Sequence, residues 1–466
     1  MKLLLSALLL FLAAVAQAVS STGTRLLSIW DDVEDQKLYS RFIGDLEKRG
    51  YKISHATSKS DDLRLDHLGQ RTYDHVMIFP TKAKGLGPNL TAKLLLDFLD
   101  AGGNIMLALS ATQPVPAALN ALLLELDIQI PAERAGLVVD HFNYDALSAS
   151  DHHDVVLVPT PAKYRPDTKN YFGSGGRADL LAVPRALGHV LGNGPLLTPI
   201  LTAPRTAYLY NQKEQAESLD GDVFAAGTQL SLVSAFQALN SARFTLVASA
   251  EMFQDAWFDA KVQRPGAGEP VKAWNEQFAR RLTGWTFHEI GHLRVNYVEH
   301  HLAEEGPLAN ISNPEIYRIN NNVTYEISIS EWVWDKWYAF KVPDNDELQL
   351  EFSMLSPLHR LPLRNAKRAS TESEGVYRVT FEVPDQHGVF NFMTDYKRPF
   401  LSPIEEKRAV TVRHMAHDEY PFSYEISAAW PYLSSIGVTC LGWLAFVAIW
   451  MFNKPVAQAG DAKKKQ

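Results

Sequence analysis

Apolar residues collect at the two ends of the chain, and the first of these stretches has the layout of a leader peptide. Lys2 precedes an apolar run over residues 3–15, and Ala16-Gln17-Ala18 follows the run. A basic start, a short apolar segment and a small-x-small site are typical of a cleaved secretory signal peptide. The pattern predicts a signal peptide at residues 1–18 and a mature chain that begins at Val19.

The second apolar stretch is long enough to cross a membrane. Residues 432–452 contain no charged side chain, and as a helix they would extend about 31 Å, the thickness of a bilayer's hydrocarbon core. Lysines follow the stretch at position 454 and at 463–465, whereas Arg413 is the only Lys or Arg in the twenty residues before it. This bias predicts a single-pass type I protein with a lumenal ectodomain and a cytosolic tail at 453–466.

Short motifs add to this topology. Lys463 and Lys464 stand fourth and third from the end, and lysines there resemble the dilysine retrieval signal of endoplasmic-reticulum membrane proteins; a plain positive-inside anchor is the alternative. Three Asn-x-Ser/Thr sequons lie on the predicted lumenal side, and each is a candidate glycosylation site if exposed: Asn89, Asn310 and Asn322.

The first half of the ectodomain alternates between apolar runs that fit strands and amphipathic segments that fit helices. Such alternation predicts a parallel, doubly wound α/β sheet, in a lumenal domain that we place at residues 19–263. The predicted strands are 26–30, 51–56, 76–79, 105–109, 155–158, 207–210 and 244–248. The predicted helices are 91–101, 117–126 and a segment with Leu38, Phe42 and Leu46 on one face.

The period of the apolar pattern changes to two after about residue 285. Val323, Tyr325, Ile327 and Ile329 alternate with polar residues, and two later runs at 348–354 and 377–383 do the same. Alternating strands separated by Pro-, Asp- and Gly-containing turns predict an antiparallel β-sandwich, here at 285–425. A Gly/Pro-rich stretch at 264–270 predicts that residues 264–284 form a linker and helix between the two domains.

Composition excludes several classes of protein. The chain is 46% hydrophobic and 21% charged, which fits an ordinary globular protein rather than a collagen, a disordered chain or a polytopic membrane protein. A formal charge of −8 argues against a nucleic-acid binder. The one cysteine, Cys440, falls inside the predicted span, so the ectodomain has no disulfide framework, thiolate zinc site or Cys-x-x-Cys chemistry.

The sharpest chemical motif is His288-Glu289-Ile290-Gly291-His292, which satisfies HExxH. In a zinc protease the two histidines share one face of a helix and the glutamate polarises the metal-bound water. Here an amphipathic helix is predicted to end near Gly291 and an alternating strand to begin, so the histidines would straddle a helix end. Glu304 and Glu305 are conceivable third ligands, and a zinc metalloprotease stays an alternative.

Two further searches find no clear catalytic site. Asp140-His141-Phe142-Asn143-Tyr144-Asp145, with Asp151 to Asp154 beyond it, could hold a metal, although Asx side chains more often organise loops. A doubly wound domain often carries a nucleotide or nucleophile motif, yet G-x-G-x-x-G, the P-loop pattern, G-x-S-x-G and a strand-end cysteine are all missing from the sequence. We therefore predict no catalytic, metal or cofactor residues and a scaffolding or binding role.

Several short stretches, taken in their order along the chain, resemble one known family. They are residues 73–79 (YDHVMIF), 98–104 (FLDAGGN), 140–145 (DHFNYD), 240–243 (NSAR), 388–392 (GVFNF), Asp395-Tyr396 and the dilysine end. They resemble the wheat-germ-agglutinin-binding-protein or 48 kDa subunit family of oligosaccharyltransferase. The resemblance runs from about Arg25 to the tail, and the HExxH motif departs from the family pattern, which does not require the two histidines.

This resemblance implies a fold and a role. The amino-terminal domain would resemble glutamine amidotransferases without their nucleophile, followed by a β-sandwich and one transmembrane helix. The protein would be a non-catalytic subunit, without cofactor, of the endoplasmic-reticulum complex that transfers a preassembled glycan from dolichyl diphosphate to Asn-x-Ser/Thr. Its partners would be the catalytic multi-span subunit, the other subunits and, in a direct contact, the lipid-linked oligosaccharide. A lectin-like cargo receptor is the alternative.

Overall fold

The structure is a computed structural model that describes residues 19–60, 63–131, 136–174, 179–211, 224–303, 311–419 and 427–454. The predicted signal peptide, Asn310, Lys463 and Lys464 lie outside the described residues and stay predictions. The chain divides into two compact units, one before and one after the peptide bond that follows Arg413. The first unit is a mixed α/β structure with several sheets.

Within the described ranges, a seven-stranded sheet organises the first part of this unit. Its strands are β1 (Arg25–Trp30), β2 (Lys52–Thr57), β3 (His75–Ile78), β4 (Asn104–Ala108), β5 (Leu197–Thr202), β6 (Ser231–Gln237) and β7 (Arg243–Val247), in the spatial order β5-β6-β7-β4-β3-β1-β2. Neighbouring strands in the spatial series β2-β1-β3-β4-β7 are parallel, as the alternation predicted. Strand β6 pairs antiparallel with β7, and β5 pairs antiparallel with β6. The prediction of a wholly parallel sheet is therefore wrong at this edge, because buried strands look alike in sequence whichever way they run.

Helices cover both faces of this sheet. They are α1 (Ser40–Lys48), α2 (Ala92–Asp100), α3 (Ala117–Glu125), α4 (Asp255–Asp259) and α5 (Asn275–Thr286), with 3-10 turns at Val33–Tyr39, Gly227–Gln229 and Ala250–Phe253. Leu26 and Met77 enter a core with α1 and α5, whereas their neighbours Leu27 and Val76 enter a second core with α2 and α3. Successive strand residues thus face opposite cores, as the pleat of a strand requires.

One local prediction in this part is wrong. Leu38 does not share the buried face of Phe42 and Leu46, because a 3-10 turn precedes α1 and changes the angular phase; Leu38 is 54% exposed. The strands predicted at 155–158 and 207–210 are present, at Val155–Pro159 and Tyr208–Tyr210, but each lies in a short antiparallel ladder outside the large sheet. The described residues contain five such ladders, which pair Asp66–His67 with Gln70–Arg71, Ile128–Gln129 with Val190–Leu191, Leu137–Val139 with Tyr208–Tyr210, Val155–Pro159 with Leu180–Pro184, and Lys261–Val262 with Val271–Lys272.

The stretch predicted as a linker is the exposed turn of the last of these ladders. Val262 at its base is buried, and the backbone N–H of Gln263 donates to the Asp145 carboxylate. The helix that follows, α5, packs against the large sheet through Phe278 and Leu282. Residues 264–284 are thus packed within the first unit, and the domain boundary that we placed there stays a prediction.

Two five-stranded sheets follow α5 in the described part of the chain. Their strands are β8 (Ile290–Leu302), β9 (Ile316–Arg318), β10 (Asn322–Val333), β11 (Lys336–Ala339), β12 (Gln349–Ser353), β13 (Pro357–Pro362), β14 (Arg364–Asn365), β15 (Gly375–Glu382), β16 (Gly388–Tyr396) and β17 (Ile404–Arg413). The first sheet is ordered β8-β10-β15-β14 with β11 beside β10, and the second β9-β17-β16-β12-β13; every pair is antiparallel except β9–β17. Tyr325 and Ile327 from the first sheet and Phe390 and Phe392 from the second enter one shared core.

The second unit contains a 23-residue helix, α6 (Trp430–Phe452), preceded by 3-10 turns at His417–Glu419 and Ser427–Ala429. Its mean hydropathy is 1.9, and its length and composition suffice to cross a membrane. It begins two residues before the predicted span and ends at the predicted residue. Its side chains are largely exposed in the isolated chain, as expected of a helix that lipid would cover.

Candidate functional site

The HExxH motif does not continue a helix. Helix α5 ends at Thr286, His288 has a φ of +58°, and strand β8 begins at Ile290. Gly291 has a φ of +70°, and a Cβ atom there would come within 2.6 Å of the Phe400 carbonyl oxygen, so glycine fits this position best. The motif is therefore a tight turn from helix into strand, and the helical face that a zinc protease uses is not formed.

Glu289, the acid of the motif, is fully buried in an ion pair. Its Oε1 atom accepts hydrogen bonds from the Arg49 guanidinium at 2.7 Å and from the Tyr51 hydroxyl at 2.6 Å. Arg49 also donates to Thr283 in α5 and pairs with Asp45 in α1. Burial lowers the pKa of Arg49, but the charges of Glu289 and Asp45, with the hydrogen bond to Glu289, together raise it above its ordinary value. Glu289 thus joins the end of α5 to α1 and β2.

The two histidines of the motif contact each other. Their Nδ1 atoms lie 3.2 Å apart, and the Nδ1 atom of His292 lies 3.0 Å from the Ser402 hydroxyl. Burial lowers the pKa of His292 to about 4 and that of His288 well below its ordinary value, so both rings are neutral at pH 7. A neutral pair can share one Nδ1 proton. Among the described residues no group of three or more His, Cys, Asp or Glu side chains is arranged to hold a metal, and Glu304 and Glu305 lie outside them.

Arg243 fastens the same turn from the sheet side. Its guanidinium is fully buried and donates to the carbonyl oxygens of Trp285 (2.5 Å), Ile290 (2.8 Å) and Gly291 (2.7 Å). The group also lies 4.7 Å from the centroid of the Trp285 ring. Burial lowers the pKa of Arg243 to about 9, so the side chain stays charged at pH 7. We call residues 284–292, together with Arg49, Tyr51 and Arg243, the α5–β8 junction.

The predicted mature amino terminus packs against this junction. Both the N–H and the hydroxyl of Ser21 donate to the His288 carbonyl oxygen, at 3.2 and 3.0 Å. The indole N–H of Trp332 donates to the Val19 carbonyl oxygen at 2.7 Å. The junction therefore connects the first described residues of the chain, the large sheet and the first strand of the next sheet.

The carboxyl edge of the parallel strands, where doubly wound folds bind ligands, is filled with aromatic rings. Trp30 at the end of β1 stacks on Phe79 after β3 with centroids 3.9 Å apart, and Tyr39 lies within 5.3 Å of both rings. A cavity of about 160 Å³ is left beside them. On its wall burial raises the pKa of Glu251, although this carboxylate pairs with Arg185. The space is too small for a nucleotide.

The Asp140–Asp145 stretch organises a loop. The buried Asp140 carboxylate accepts hydrogen bonds from the N–H groups of Phe142 and Asn143, from the Asn143 amide and from the Thr206 hydroxyl. Asp145, also buried, accepts from Ser148 and Gln263. These aspartates are therefore bound within the loop. Beside them, His141 contacts the His153 ring and the Tyr208 hydroxyl.

Comparison with known proteins places these features in a family. Family models match the chain twice, as the OST48 N-terminal domain over residues 17–289 and the OST48 middle domain over residues 300–454. The Schizosaccharomyces pombe dolichyl-diphosphooligosaccharide–protein glycosyltransferase subunit wbp1 is 32% identical over 92% of both chains. The 48 kDa subunit of Drosophila melanogaster is 32% identical over 98% of this chain and 99% of its own. The chain belongs to the OST48/WBP1 family.

Other comparisons agree or carry less weight. The Saccharomyces cerevisiae subunit WBP1 is 30% identical over 98% of both chains. Among solved structures, a ThuA-like protein from Parabacteroides merdae aligns with 48% of this chain at 11% identity and a TM-score of 0.24, too low to support an argument about the fold. The resemblance to the OST48/WBP1 family stated from the sequence is confirmed.

Several stretches that carried this resemblance have structural roles in this member of the OST48/WBP1 family. Gly102 ends α2 with a φ of +84°, and a Cβ atom on Gly103 would overlap the Phe98 ring. The Asn240 amide donates to the Leu99 and Asp100 carbonyl oxygens at the same helix end. The sequence marked these residues, whereas it did not indicate that Arg49 and Arg243 would meet the junction.

Of the three sequons in this OST48/WBP1 chain, the described residues include two. Asn322, at the start of β10, is exposed, and the hydroxyl of Thr324 in the same sequon contacts Thr380. Asn89 is half-buried, just before α2, and Thr91 of its sequon caps that helix by accepting a hydrogen bond from the Leu94 N–H. Asn322 is thus the better exposed of the two acceptors.

Proposed function

We propose that this chain is a non-catalytic subunit of the oligosaccharyltransferase complex, which transfers a preassembled glycan from dolichyl diphosphate to asparagine in Asn-x-Ser/Thr. The observation that carries the proposal is that relatives aligned over nearly the whole chain are named as subunits of dolichyl-diphosphooligosaccharide–protein glycosyltransferase. Its role would be the assembly and stability of the complex, with the catalytic multi-span subunit among its partners and the lipid-linked oligosaccharide as a further contact.

The proposal that this subunit is non-catalytic is supported by the contacts that already occupy the polar groups of each candidate site. Glu289 is held by Arg49 and Tyr51, Asp140 is occupied by its own loop, and aromatic rings fill the carboxyl edge of the parallel strands. Glycan transfer needs carboxylates that can reach an acceptor amide, usually with a divalent metal. We accordingly propose no catalytic, metal or cofactor residues in this subunit.

The finer fold and topology belong to the same proposal. We propose a doubly wound lumenal domain, similar to glutamine amidotransferases without a nucleophile, and a following β-sandwich, since helices cover both faces of one sheet and two later sheets share one core. The protein would be a type I protein of the endoplasmic reticulum with its bulk in the lumen. Retrieval through Lys463 and Lys464 would keep it there.

Depletion tests the function. Removing this chain from cells should lower the amount of assembled complex and the sequon occupancy of several unrelated glycoproteins, while lipid-linked donor is still present. A lectin-like cargo receptor would instead affect one narrow set of glycoproteins. Normal occupancy after depletion, or such a narrow effect, would contradict the subunit proposal.

Orientation is tested separately in sealed microsomes. An epitope placed after Gln466 should be removed by added protease while the ectodomain is protected, because the lysines after α6 favour the cytosolic side. Protection of both ends would contradict the type I orientation.

A further inference from the structure

A cavity of about 650 Å³ opens beside the Asp140–Asp145 loop, and two of its lining rings, Phe172 and Phe400, pack against Trp285 of the α5–β8 junction. Its walls come from residues 157–164, from residues 199–205 and from the loop residues Asn170 and Phe172, and Phe400 closes one side. This volume lies in the range of small-molecule binding sites. We call it the basic cavity, because lysine and arginine side chains line it.

The cavity is lined by positive charges, although the protein as a whole carries a net negative charge. Lys163, Lys169, Arg205 and Arg264 line it, and none of its described lining residues is acidic. The whole chain carries 53 acidic and 45 basic side chains, a formal charge of −8. Four cations without an acid in one concave site focus a positive potential, because low-dielectric walls concentrate the field.

Three of these cations have no acidic partner within the described part of the chain. Lys169 forms an ion pair with Glu331 and lies 4.7 Å from the centroid of the Phe340 ring, so its charge is compensated. No such pair is present for Lys163, Arg205 or Arg264 in the described ranges. The Nε atom of Arg264 is buried without a hydrogen-bond partner, which leaves a donor that a ligand can satisfy.

Hydrogen bonds fix the backbone that presents these side chains. Arg205 stands in the Pro204–Ala207 turn, whose Thr206 hydroxyl donates to the buried Asp140 carboxylate. On the opposite wall, the Asn170 amide donates to the Pro161 carbonyl oxygen at 3.0 Å and so holds the segment that bears Lys163. The backbone positions of Arg205 and Lys163 are therefore preorganised, which lowers part of the entropic cost of binding.

We propose that the basic cavity binds a phosphate-bearing ligand. A guanidinium donates two parallel hydrogen bonds to phosphate oxygens, and lysine adds a mobile positive charge. Arg205 and Arg264 would hold the phosphate, and Lys163 would add its charge at the mouth. The Tyr164 and Phe172 rings on the walls offer apolar surface to the organic part of the ligand. This site is separate from the role of the chain in the complex.

Calorimetric titration of the purified full-length protein in mild detergent tests this proposal, with inorganic pyrophosphate as the probe and maltotriose as a neutral sugar. Pyrophosphate should bind once per chain, and more weakly as ionic strength rises because the cavity opens to water. Arg205→Gln and Arg264→Gln should each weaken binding about tenfold or more, the loss expected for a charge-assisted hydrogen bond. Arg368→Gln, which changes an exposed arginine at 366–369, is the matched control and should bind normally.

A second arm identifies the source of the phosphate. Farnesyl diphosphate and uridine diphosphate carry the same group on an isoprenoid and on a nucleoside, and tighter binding of one of them indicates a lipid-linked or a soluble ligand. No binding of pyrophosphate, equal binding by Arg205→Gln, or competition by maltotriose would each overturn the proposal. Equal thermal unfolding temperatures of the variants exclude misfolding. If Arg205→Gln loses pyrophosphate binding but still co-purifies normally with the complex, the phosphate site is separate from the role of the chain as a subunit.

Discussion

Replacing Glu289 tests whether the HExxH motif is a structural junction or a catalytic site. Its carboxylate is fully buried and bonded to Arg49 and Tyr51, from segments 240 and 238 residues away in sequence. Arg49 is itself only 6% exposed at its side chain. Glu289→Ala would therefore leave a guanidinium in a dry site with Thr283 and the partly exposed Asp45 as its partners.

The expected cost is large for a single substitution. Removing one member of a buried ion pair destabilises a protein by about 3–5 kcal/mol, because the other charge is left without compensation. Asp45 continues to interact with Arg49, so we expect Glu289→Ala near the lower end, at about 3 kcal/mol. Arg49→Met leaves the Glu289 carboxylate with only the Tyr51 hydroxyl, and we expect about 5 kcal/mol. For a unit of this length these values correspond to unfolding temperatures lowered by about 4–6 °C.

Thermal unfolding of the full chain in detergent, followed by tryptophan fluorescence, measures these effects. The double variant Arg49→Met/Glu289→Ala should be more stable than the sum of the single effects implies, by about 2–3 kcal/mol, because neither charge is left unpaired. Arg41→Met is the matched control. Arg41 lies in α1, eight residues before Arg49, and its side chain is 37% exposed, so loss of its ion pairs should leave the unfolding temperature unchanged.

Two results would refute this reasoning. If Glu289→Ala unfolds at the same temperature as Arg41→Met, the buried pair does not stabilise the junction. If the single effects simply add in the double variant, Arg49 and Glu289 are not coupled. A stable Glu289→Gln variant that retains zinc but loses a proteolytic activity would instead support the metalloprotease alternative.

Three further predictions follow from the described contacts. Burial lowers the pKa of His75 to about 4, whereas an unfolded histidine titrates near ~6.5, so this residue should lower the stability as pH decreases from ~6.5 towards 4, by up to ~1.4 kcal/mol per pH unit. His75→Asn should reduce the pH dependence of the unfolding temperature by this one-proton share and leave the share of the other buried histidines, such as His292; His67→Asn, at an exposed position, should leave it unchanged. Asn322→Gln should remove one endoglycosidase-sensitive mobility shift, because Asn322 is exposed; an unchanged shift would show that this acceptor is unused. Purified protein should contain no stoichiometric zinc by elemental analysis, and one zinc per chain that is lost in His292→Ala would contradict the structural interpretation of the motif.

Local elements were predictable because local patterns determine them. The helix predicted at 91–101 is α2, with Thr91 as its cap and Gly102 just past its end, and the alternating run at 323–329 lies within β10. The direction of β5 and β6 was not predictable, since it depends on how a long connection returns to the sheet. Likewise, the apolar runs at 155–158 and 207–210 form strands, but their partners are set by tertiary packing.

In the candidate site, too, local structure could be predicted and tertiary contacts could not. The position of HExxH at a helix end could be predicted, because Leu293, Val295 and Tyr297 alternate as in a strand. The partner of Glu289 could not be predicted, because Arg49 follows an amphipathic helix and has the sequence context of an ordinary surface arginine. Arg243 gave a partial signal, since a charged residue at the start of a buried apolar strand must find partners.

The energetics of the junction also oppose its conversion into a zinc site. Two histidines at i and i+4 face one metal only if the helix continues through both, yet α5 ends at Thr286 and His288 has left-handed backbone geometry. Extending the helix would draw Glu289 away from Arg49 and remove the carbonyl oxygens that bind Arg243, leaving two buried guanidinium groups short of partners. Each such loss costs several kcal/mol, on the order of 3–5 for the ion pair alone. The turn that spoils the protease geometry is thus the same turn that holds the large sheet to β8.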